Sequence, residues 1–345
     1  MKRIRKGSFL AAIVLIVMLI GLAGCSSSKE PAGEPGDKSS GADGKPVKIS
    51  AVTAWPKDNV FNKAFWALKD KVEEKSEGKV TIEWKGGPET IPTFELSEAV
   101  RTGAVDLAWT AQSYSLAAAP ALDGMKLSTL KPWEEREKGI NDFWNEKIYG
   151  PKLNTYYLGN STPGLGFNLY TLKPIEKVED FKGMTIRVSP SFKSFVEALG
   201  GASVTTDPGE VYTALERNMV QGYGWPNIGI TNFGWEEVTK YVIEPPFHAV
   251  NVQGQVNLDK WNSYPEDVQN VLIESMKEVE LEMEDTFKQL IAEEREKMKA
   301  KGMEIIELAP EEAEKYRSLA YDSGWEEVMA TDKAIIEEYK SLLEK

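Results

Sequence analysis

The alternation of short apolar runs with longer amphipathic stretches is the feature that most restricts the fold of this chain. The run 47–52 has the composition of a β-strand, and the stretch 59–76 has the apolar spacing of a helix. The same order returns at 80–84, where apolar and polar residues alternate, and at 94–110, where a helical pattern leads into an apolar run. Because such alternation places helices on the faces of a sheet, the sequence predicts an α/β fold.

The rest of the chain continues this pattern. Residues 165–170 and 184–189 are expected to form strands, and 191–199 and 211–218 are expected to form helices. The stretch 266–301 has an unusually long helical pattern, in which the apolar positions keep no unbroken heptad. Packing of one long helix over a domain boundary is therefore favoured over the alternative of a coiled-coil arm.

The length of the chain favours two domains. About 300 residues remain after the N-terminal region, and a chain of that size is expected to divide its core. We predict two discontinuous lobes, with 46–165 and 252–290 in lobe I and 166–251 and 291–345 in lobe II. The strand crossings near 165 and 250 would be the hinges.

The N-terminus resembles a bacterial export signal followed by a lipid attachment site. Four basic residues among the first six precede an uncharged apolar run at 9–23. That run is shorter than the roughly 20 residues that span a bilayer as a helix, so cleavage is favoured over a permanent membrane span. The sequence Leu-Ala-Gly-Cys that ends at Cys25 is similar to the lipobox of lipoproteins. We predict a signal peptide over 1–24 and acylation of Cys25, with an inert core cysteine as the alternative.

The composition limits the partners and the compartment. Residues 25–45 are rich in Ser, Gly, Pro and Lys, which predicts a flexible tether. The export signal and the lipobox-like sequence predict an extracytoplasmic protein that is lipid-anchored to the cell membrane. The formal net charge of −13 argues against nucleic acid as a partner. Cys25 is the only cysteine, so no disulfide forms within the chain. A monomer is the default expectation for the oligomeric state.

Four segments resemble the solute-binding proteins of TRAP transporters. They are FKGMTIRV at 181–188, ALGGA at 198–202, EVYTAL at 210–215 and, in the first half of the chain, AVRTGAVDL at 99–107. The resemblance implies a two-lobed periplasmic-binding-protein fold with a long helix spanning both lobes. It also implies that the lobes close on a ligand and that the ligand passes to a sodium-coupled membrane permease.

Similarity to this family assigns Arg187 to the carboxylate of a small organic acid. A guanidinium at the end of a strand can make two parallel charge-assisted hydrogen bonds to a carboxylate. From the residue alone, a surface ion pair with a nearby Asp or Glu is the alternative.

Departures from the family pattern bear on the body of the ligand. Trp225 stands where many relatives carry a ligand-binding Asn, and a second arginine near Phe167 is missing, which disfavours a sialic or hexuronic acid. An apolar slot is predicted from four aromatic residues, with core packing as the alternative for each: Trp55, Trp109, Phe167 and Trp225. Polar contacts are predicted from four further residues, each of which could instead bond the backbone: Asn168, Ser189, Tyr212 and Asn227.

The sequence gives little support to catalysis. His248 is the only histidine, and the motifs of serine hydrolases, phosphate-binding loops and zinc proteases do not occur. No catalytic residue, cofactor or metal site is therefore predicted. Two alternatives remain: a secreted glycoside hydrolase that uses paired carboxylates, and a lipoprotein that senses a ligand and reports to a membrane receptor.

Overall fold

A computed structural model of the protein describes residues 46–344. The signal peptide, Cys25 and the tether lie outside the described residues, and they stay predictions. Within the part of the chain that the structure describes, no helix is both long enough and apolar enough to cross a membrane.

Strands and helices alternate through most of this region. The strands are β1 (Val47–Thr53), β2 (Val80–Gly86), β3 (Leu107–Ala111), β4 (Thr155–Asn160), β5 (Phe167–Thr171), β6 (Thr185–Val188), β7 (Ala202–Thr205), β8 (Gly222–Pro226), β9 (Tyr241–Glu244), β10 (Val252–Asn257) and β11 (Glu304–Glu307). The helices are α1 (Lys63–Lys75), α2 (Leu96–Arg101), α3 (Pro132–Glu137), α4 (Ile140–Trp144), α5 (Gly150–Leu153), α6 (Lys193–Ala198), α7 (Val211–Glu216), α8 (Leu258–Ser263), α9 (Glu266–Ala300), α10 (Pro310–Met329) and α11 (Lys333–Glu344). The predicted α/β class is confirmed.

The strands form two separate sheets, and each sheet is the centre of one lobe. The first sheet has the order β2-β1-β3-β10-β4, with β1 parallel to β2 and β3, and with β10 antiparallel to its neighbours β3 and β4. The second has the order β11-β9-β5-β8-β6-β7, with β5 antiparallel to both of its neighbours. This is the two-lobed architecture that the sequence predicts. The exact lobe boundaries given above stay predictions.

Two extended segments carry the chain from one sheet to the other. Residues 161–166 join β4 to β5, and residues 245–251 join β9 to β10. The segments lie side by side, since Gly166 forms an antiparallel bridge with Ala249 and the Thr162 hydroxyl donates to the carbonyl oxygen of Val250 at 2.9 Å. Both crossings lie where the sequence places the predicted hinges.

Helix α9 has 35 residues and is about 50 Å long at the usual rise of 1.5 Å per residue. It packs against α1, α3 and β4 of the first lobe and against β11 and the 3₁₀ turn Ile230–Asn232 of the second. One apolar stripe of the helix is buried: Val268, Leu272, Met276, Val279, Met283 and Phe287. The predicted helix that spans both lobes is therefore confirmed.

The described chain ends in two helices, α10 and α11, which are separated by a short break. Helix α10 ends at Met329, and the side chain of Thr331 then donates to the carbonyl oxygen of Val328 at 2.6 Å. The carboxylate of Asp332 accepts from the backbone N–H of Ile335 at 3.3 Å and caps α11. These two side chains offer the backbone alternatives to a continuous helix, which explains the break.

Candidate functional site

The two lobes face each other across a cleft, and a cavity of about 360 Å³ lies at its outer end. We call this space the mouth cavity. Residues that follow β1 line it from the first lobe, among them Trp55 and Pro56, and the segment from Asp207 to Glu210 lines it from the second. Ligands of open α/β sheets bind outside the ends of strands, and this cavity lies at such a position.

A second and deeper space lies next to the mouth cavity, since Trp55 lines both. This inner cavity has a volume of about 20 Å³, room for about one water-sized sphere. Its walls come from both lobes and are mainly apolar and aromatic: Trp55, Phe61, Tyr114, Phe167, Trp225, Ala111, Val250, Val252, Pro226, Ser113 and Ser189.

Arg187 lies on β6 in the second lobe and is completely buried. Its Nε and Nη2 atoms both donate to the carbonyl oxygen of Thr206, and its Nη1 atom has no hydrogen-bond partner among residues 46–344. The guanidinium carbon lies 5.7 Å from the centre of the Trp225 ring, which forms a wall of the inner cavity. Arg187 itself does not line either cavity.

The charge of Arg187 has no direct counterion in the described chain. No carboxylate oxygen of the described residues lies within 4.0 Å of a guanidinium nitrogen of Arg187, which is the limit for an ion pair. Burial lowers the pKa of Arg187 to about 10, while the more distant Tyr114, Asp207 and Glu210 oppose this change. At neutral pH the group is still a cation, because its pKa stays well above 7. A buried cation with an unused N–H group is chemically suited to bind an anion.

Tyr114 brings a polar group of the first lobe close to this cation. Burial raises the pKa of Tyr114 to about 12, and Arg187 opposes that rise, so the phenol stays protonated at neutral pH. The ring also packs against Trp55, with 6.0 Å between the ring centres. Tyr114 and Arg187 thus face the same region from opposite lobes.

Three of the four predicted aromatic residues meet in the inner cavity, namely Trp55, Phe167 and Trp225. Trp109 does not line it. Its indole N–H donates to the carbonyl oxygen of Phe61 at 3.0 Å, and its ring packs against Phe65 in the core of the first lobe. The core alternative therefore describes the surroundings of Trp109.

Of the four predicted polar residues, only Ser189 lines the inner cavity. Asn168 is fully buried in the second sheet and donates from Nδ2 to the carbonyl oxygen of Ile243 at 2.6 Å. Tyr212 packs against the hydrophobic core and lines neither cavity. The backbone N–H of Asn227 donates to the carbonyl oxygen of Gly166 at 2.9 Å, and its side chain also lines neither cavity.

Sequence reasoning missed Phe61, Tyr114 and Asp207. Phe61 joins the aromatic walls of the two lobes, with its ring centre 5.0 Å from that of Trp55 and 6.0 Å from that of Trp225. Tyr114 lies three residues after the end of β3, so a search of the residues that follow each strand would have found it. No sequence signal distinguishes Asp207 from the other acidic residues.

The lobes also touch directly at the rim of the cleft. The carboxamide oxygen of Asn232 in the second lobe accepts from the backbone N–H of Val60 in the first at 3.1 Å. Gly229 has φ of +91°, and a Cβ atom on it would lie 3.0 Å from a Val60 methyl group, so a side chain here would strain the backbone and crowd Val60. The buried Glu294 of α9 accepts from the backbone N–H groups of Gly229 and Thr231, both at 3.0 Å. The long helix therefore holds the segment that contacts the other lobe.

Histidine and acidic side chains form no metal centre here. Across residues 46–344, no group of three or more His, Cys, Asp or Glu residues is placed to hold a metal ion. His248 is buried, bonds to the carbonyl oxygen of Ala320 at 2.9 Å and has a pKa well below its ordinary value because of burial.

Comparison with models of known protein families gives a match over most of the chain. The family described as bacterial extracellular solute-binding protein, family 7, or DctP, matches residues 51–332. The chain belongs to the DctP family. Members of this family are solute-binding proteins rather than enzymes, and they act outside the cytoplasm.

Relatives of this DctP protein extend over most of its length. It is 24% identical over 308 residues to a monocarboxylate 2-oxoacid-binding periplasmic protein of Nostoc sp.. The aligned region covers 85% of this chain and 82% of the relative. The fold also matches a TRAP periplasmic solute-binding protein from Desulfovibrio salexigens with bound orotic acid, with a TM-score of 0.77, 20% identity, and coverage of 86% and 98%.

Another similar structure is a TRAP periplasmic solute-binding protein from Pseudoalteromonas atlantica with bound sodium and pyruvate, with a TM-score of 0.75, 20% identity, and coverage of 87% and 94%. At these identities the structures establish the shared fold. TRAP solute-binding proteins bind small organic acids and work with membrane permeases.

Proposed function

We propose that this DctP protein captures a small monocarboxylate between its lobes and delivers it to a TRAP membrane permease. Arg187 binds the carboxylate of this ligand. The observation that carries the proposal is the buried guanidinium of Arg187, which has an unused Nη1–H group and no carboxylate within ion-pair distance in the described chain.

Energetics favour an anionic partner for this group. A buried charge is costly unless it is paired and hydrogen-bonded. The carbonyl oxygen of Thr206 satisfies two of the N–H groups but carries no formal charge. A ligand carboxylate would supply both the missing charge and an acceptor for Nη1, in a charge-assisted hydrogen bond.

The cavities favour a ligand with a small body. The inner cavity is narrow, and Trp55, Phe61 and Trp225 enclose it. Flat aromatic walls suit a planar or apolar group. The relatives named for monocarboxylate 2-oxoacids and for bound pyruvate support 2-oxo monocarboxylates as the first ligands to be tested.

Capture requires the lobes to separate and close again. We propose that the segments 161–166 and 245–251 act as hinges, and that ligand shifts the population towards the closed form because it contacts both lobes. The contact between Val60 and Asn232 would then form on closure and break on opening.

Attachment to the membrane is part of the proposal. A lipid on Cys25 and a tether over 25–45 would keep the lobes of a monomer at the outer face of the cell membrane, near the permease. The export signal and the lipobox-like sequence at Cys25 support this arrangement.

A thermal-shift screen of the purified protein tests the ligand class. Binding to the folded state raises the melting temperature by mass action. The panel contains 2-oxo monocarboxylates, aliphatic monocarboxylates, dicarboxylates, aromatic acids and sugar acids. We expect the largest shifts with 2-oxo monocarboxylates. A protein stabilised by no carboxylate would contradict the proposal, and uptake assays in a strain without the protein would separate delivery from sensing.

A further inference from the structure

We propose that Asp207 restricts this site to ligands with a single carboxylate by placing a negative charge at the mouth of the cleft. The inference rests on the proposed function, because it assumes that Arg187 binds the first carboxylate. Asp207 would select against ligands with a second carboxylate, whereas Arg187 attracts the first carboxylate of any ligand.

The backbone places Asp207 beside the cation. Asp207 directly follows Thr206, whose carbonyl oxygen accepts two hydrogen bonds from Arg187. Its side chain lines the mouth cavity, and its Oδ1 atom is buried without a hydrogen-bond donor from the described residues. The two charges are not in ion-pair contact, yet each changes the pKa of the other. Asp207 thus lies near Arg187 and on the wall of the mouth cavity.

The mouth is acidic as a whole. Asp207 and Glu210 are the charged residues among those that line it, and the lining contains no Lys or Arg. Burial and the repulsion from Glu210 raise the pKa of Asp207, Glu95 adds to that rise, and Arg187 opposes it. The charge of Asp207 is therefore already unfavourable before a ligand enters.

These charges have opposite consequences for the two ends of a ligand. A carboxylate at the inner end meets Arg187. We expect the other end of a longer molecule to extend towards the mouth, where a second carboxylate meets like charges in a partly desolvated space. A neutral end instead meets the uncharged part of the wall, which includes Trp55, Pro56, Pro92 and Phe233. Dicarboxylates should therefore bind much less well than monocarboxylates of the same length.

The test uses a matched pair of probes. 2-Oxopentanoate and 2-oxoglutarate have the same five-carbon chain and differ by one carboxylate, and calorimetry gives the dissociation constant of each. We expect the wild-type protein to prefer 2-oxopentanoate by at least tenfold. Asp207→Asn removes the charge and keeps the shape, and it is expected to reduce that preference at least tenfold, mainly through tighter binding of 2-oxoglutarate.

Two further variants serve as controls. Glu216→Gln changes the net charge by the same amount, but Glu216 is exposed at the end of α7 and lines neither cavity, so the preference should not change. Glu210→Gln removes the other acidic side chain of the mouth, and a smaller reduction in the same direction is expected. It also tests the inference independently of the stability of Asp207→Asn.

The outcomes separate the inference from the function on which it rests. An unchanged preference in both Asp207→Asn and Glu210→Gln, with 2-oxopentanoate still bound, overturns the role of Asp207 and leaves the proposed function intact. Loss of 2-oxopentanoate binding in a folded Asp207→Asn variant also overturns it, because Asp207 would then bind the ligand directly. A wild-type protein that binds no carboxylate in the wider screen defeats both.

Discussion

A partly buried arginine and a fully buried one have opposite surroundings in this molecule. Arg136 on α3 donates from Nε and Nη2 to the two carboxylate oxygens of Glu280 on α9, each at 2.7 Å, and also bonds to the carbonyl oxygen of Leu158. Arg187 is buried more completely, bonds to one carbonyl group and has no carboxylate within 4.0 Å in the described chain. Among residues 46–344, a carboxylate compensates the first charge and none compensates the second.

The difference separates a structural arginine from the one proposed to bind the ligand. Arg136 fixes the long helix to the first lobe, because its partner Glu280 is only 1% exposed and its charge depends on this contact. Arg187 forms no ion pair with the described residues and so fixes no element in this way. A charge that folding leaves uncompensated is one that a ligand can compensate, so the same type of side chain stabilises the fold in one place and is proposed to bind an anion in the other.

Removal of the structural arginine should have the largest effect on stability. Arg136→Met is expected to lower the free energy of unfolding by about 3–5 kcal/mol, because it leaves Glu280 buried and unpaired. Urea unfolding measures this change. Arg187→Met is the matched control and should lower stability much less, since it leaves no carboxylate unpaired. Equal losses in the two variants would remove the distinction between the two arginines.

A buried acid beside Arg136 makes the stability of this region depend on pH. Burial raises the pKa of Glu135 to about 7, Glu280 and Glu134 add to that rise, and Ser128 and Arg136 oppose it. The ordinary pKa is 4.5, so the folded state binds more protons between pH 4.5 and 7. The penalty for ionising Glu135 is therefore absent below pH 4.5 and complete above pH 7, where it reaches about 3 kcal/mol.

The variant Glu135→Gln isolates this contribution from those of other titrating groups. Relative to this variant, the wild-type protein should gain stability as the pH falls from 8 to 5, by about 2–3 kcal/mol. Urea unfolding at the two pH values gives the difference. A difference that does not change with pH would show that Glu135 titrates normally.

Loss of the contact between the lobes should have a smaller effect, and we expect it in the rate of ligand dissociation. Asn232→Ala removes the hydrogen bond to Val60, which is worth about 1 kcal/mol, so ligand dissociation should become about fivefold faster while association changes little. Stopped-flow fluorescence measures both rates. Asn145→Ala is the control, because Asn145 bonds to the backbone of Tyr157 within the first lobe. If Asn145→Ala accelerates ligand dissociation as much as Asn232→Ala does, the contact between Asn232 and Val60 has no special role in holding the lobes closed.

Much of the fold was predictable because its signals are local. The strand-like runs at 47–52 and 80–84 and the helical pattern at 266–301 appear as β1, β2 and α9. The order of strands within the sheets depends on pairings between distant segments. Strand β10 lies between β3 and β4 although it follows β9 in the chain, and nothing in the local sequence of β10 specifies those neighbours.

The site was only partly predictable, for a geometric reason. Trp55 and Ser189 follow the ends of β1 and β6 and reach the inner cavity, whereas Trp109 and Asn168 lie within β3 and β5 and point into packed layers. Neither residue type nor position relative to a strand end separates the two groups, since Phe167 begins β5 and Trp225 lies within β8, yet both line the inner cavity. The difference depends on which side chains face the other lobe. The missing counterion of Arg187 was also not visible, since it depends on every acidic residue that the fold brings near.

Calorimetry of carboxylate binding to the wild-type protein and to Arg187→Met tests the central claim most directly. Removal of a desolvated charge partner should weaken the binding of the carboxylate found in the screen by about 2–5 kcal/mol, while the melting temperature without ligand stays close to that of the wild type. Affinity that is unchanged in a folded Arg187→Met protein would contradict the account, because the ligand would then be bound without the cation that the fold leaves unpaired.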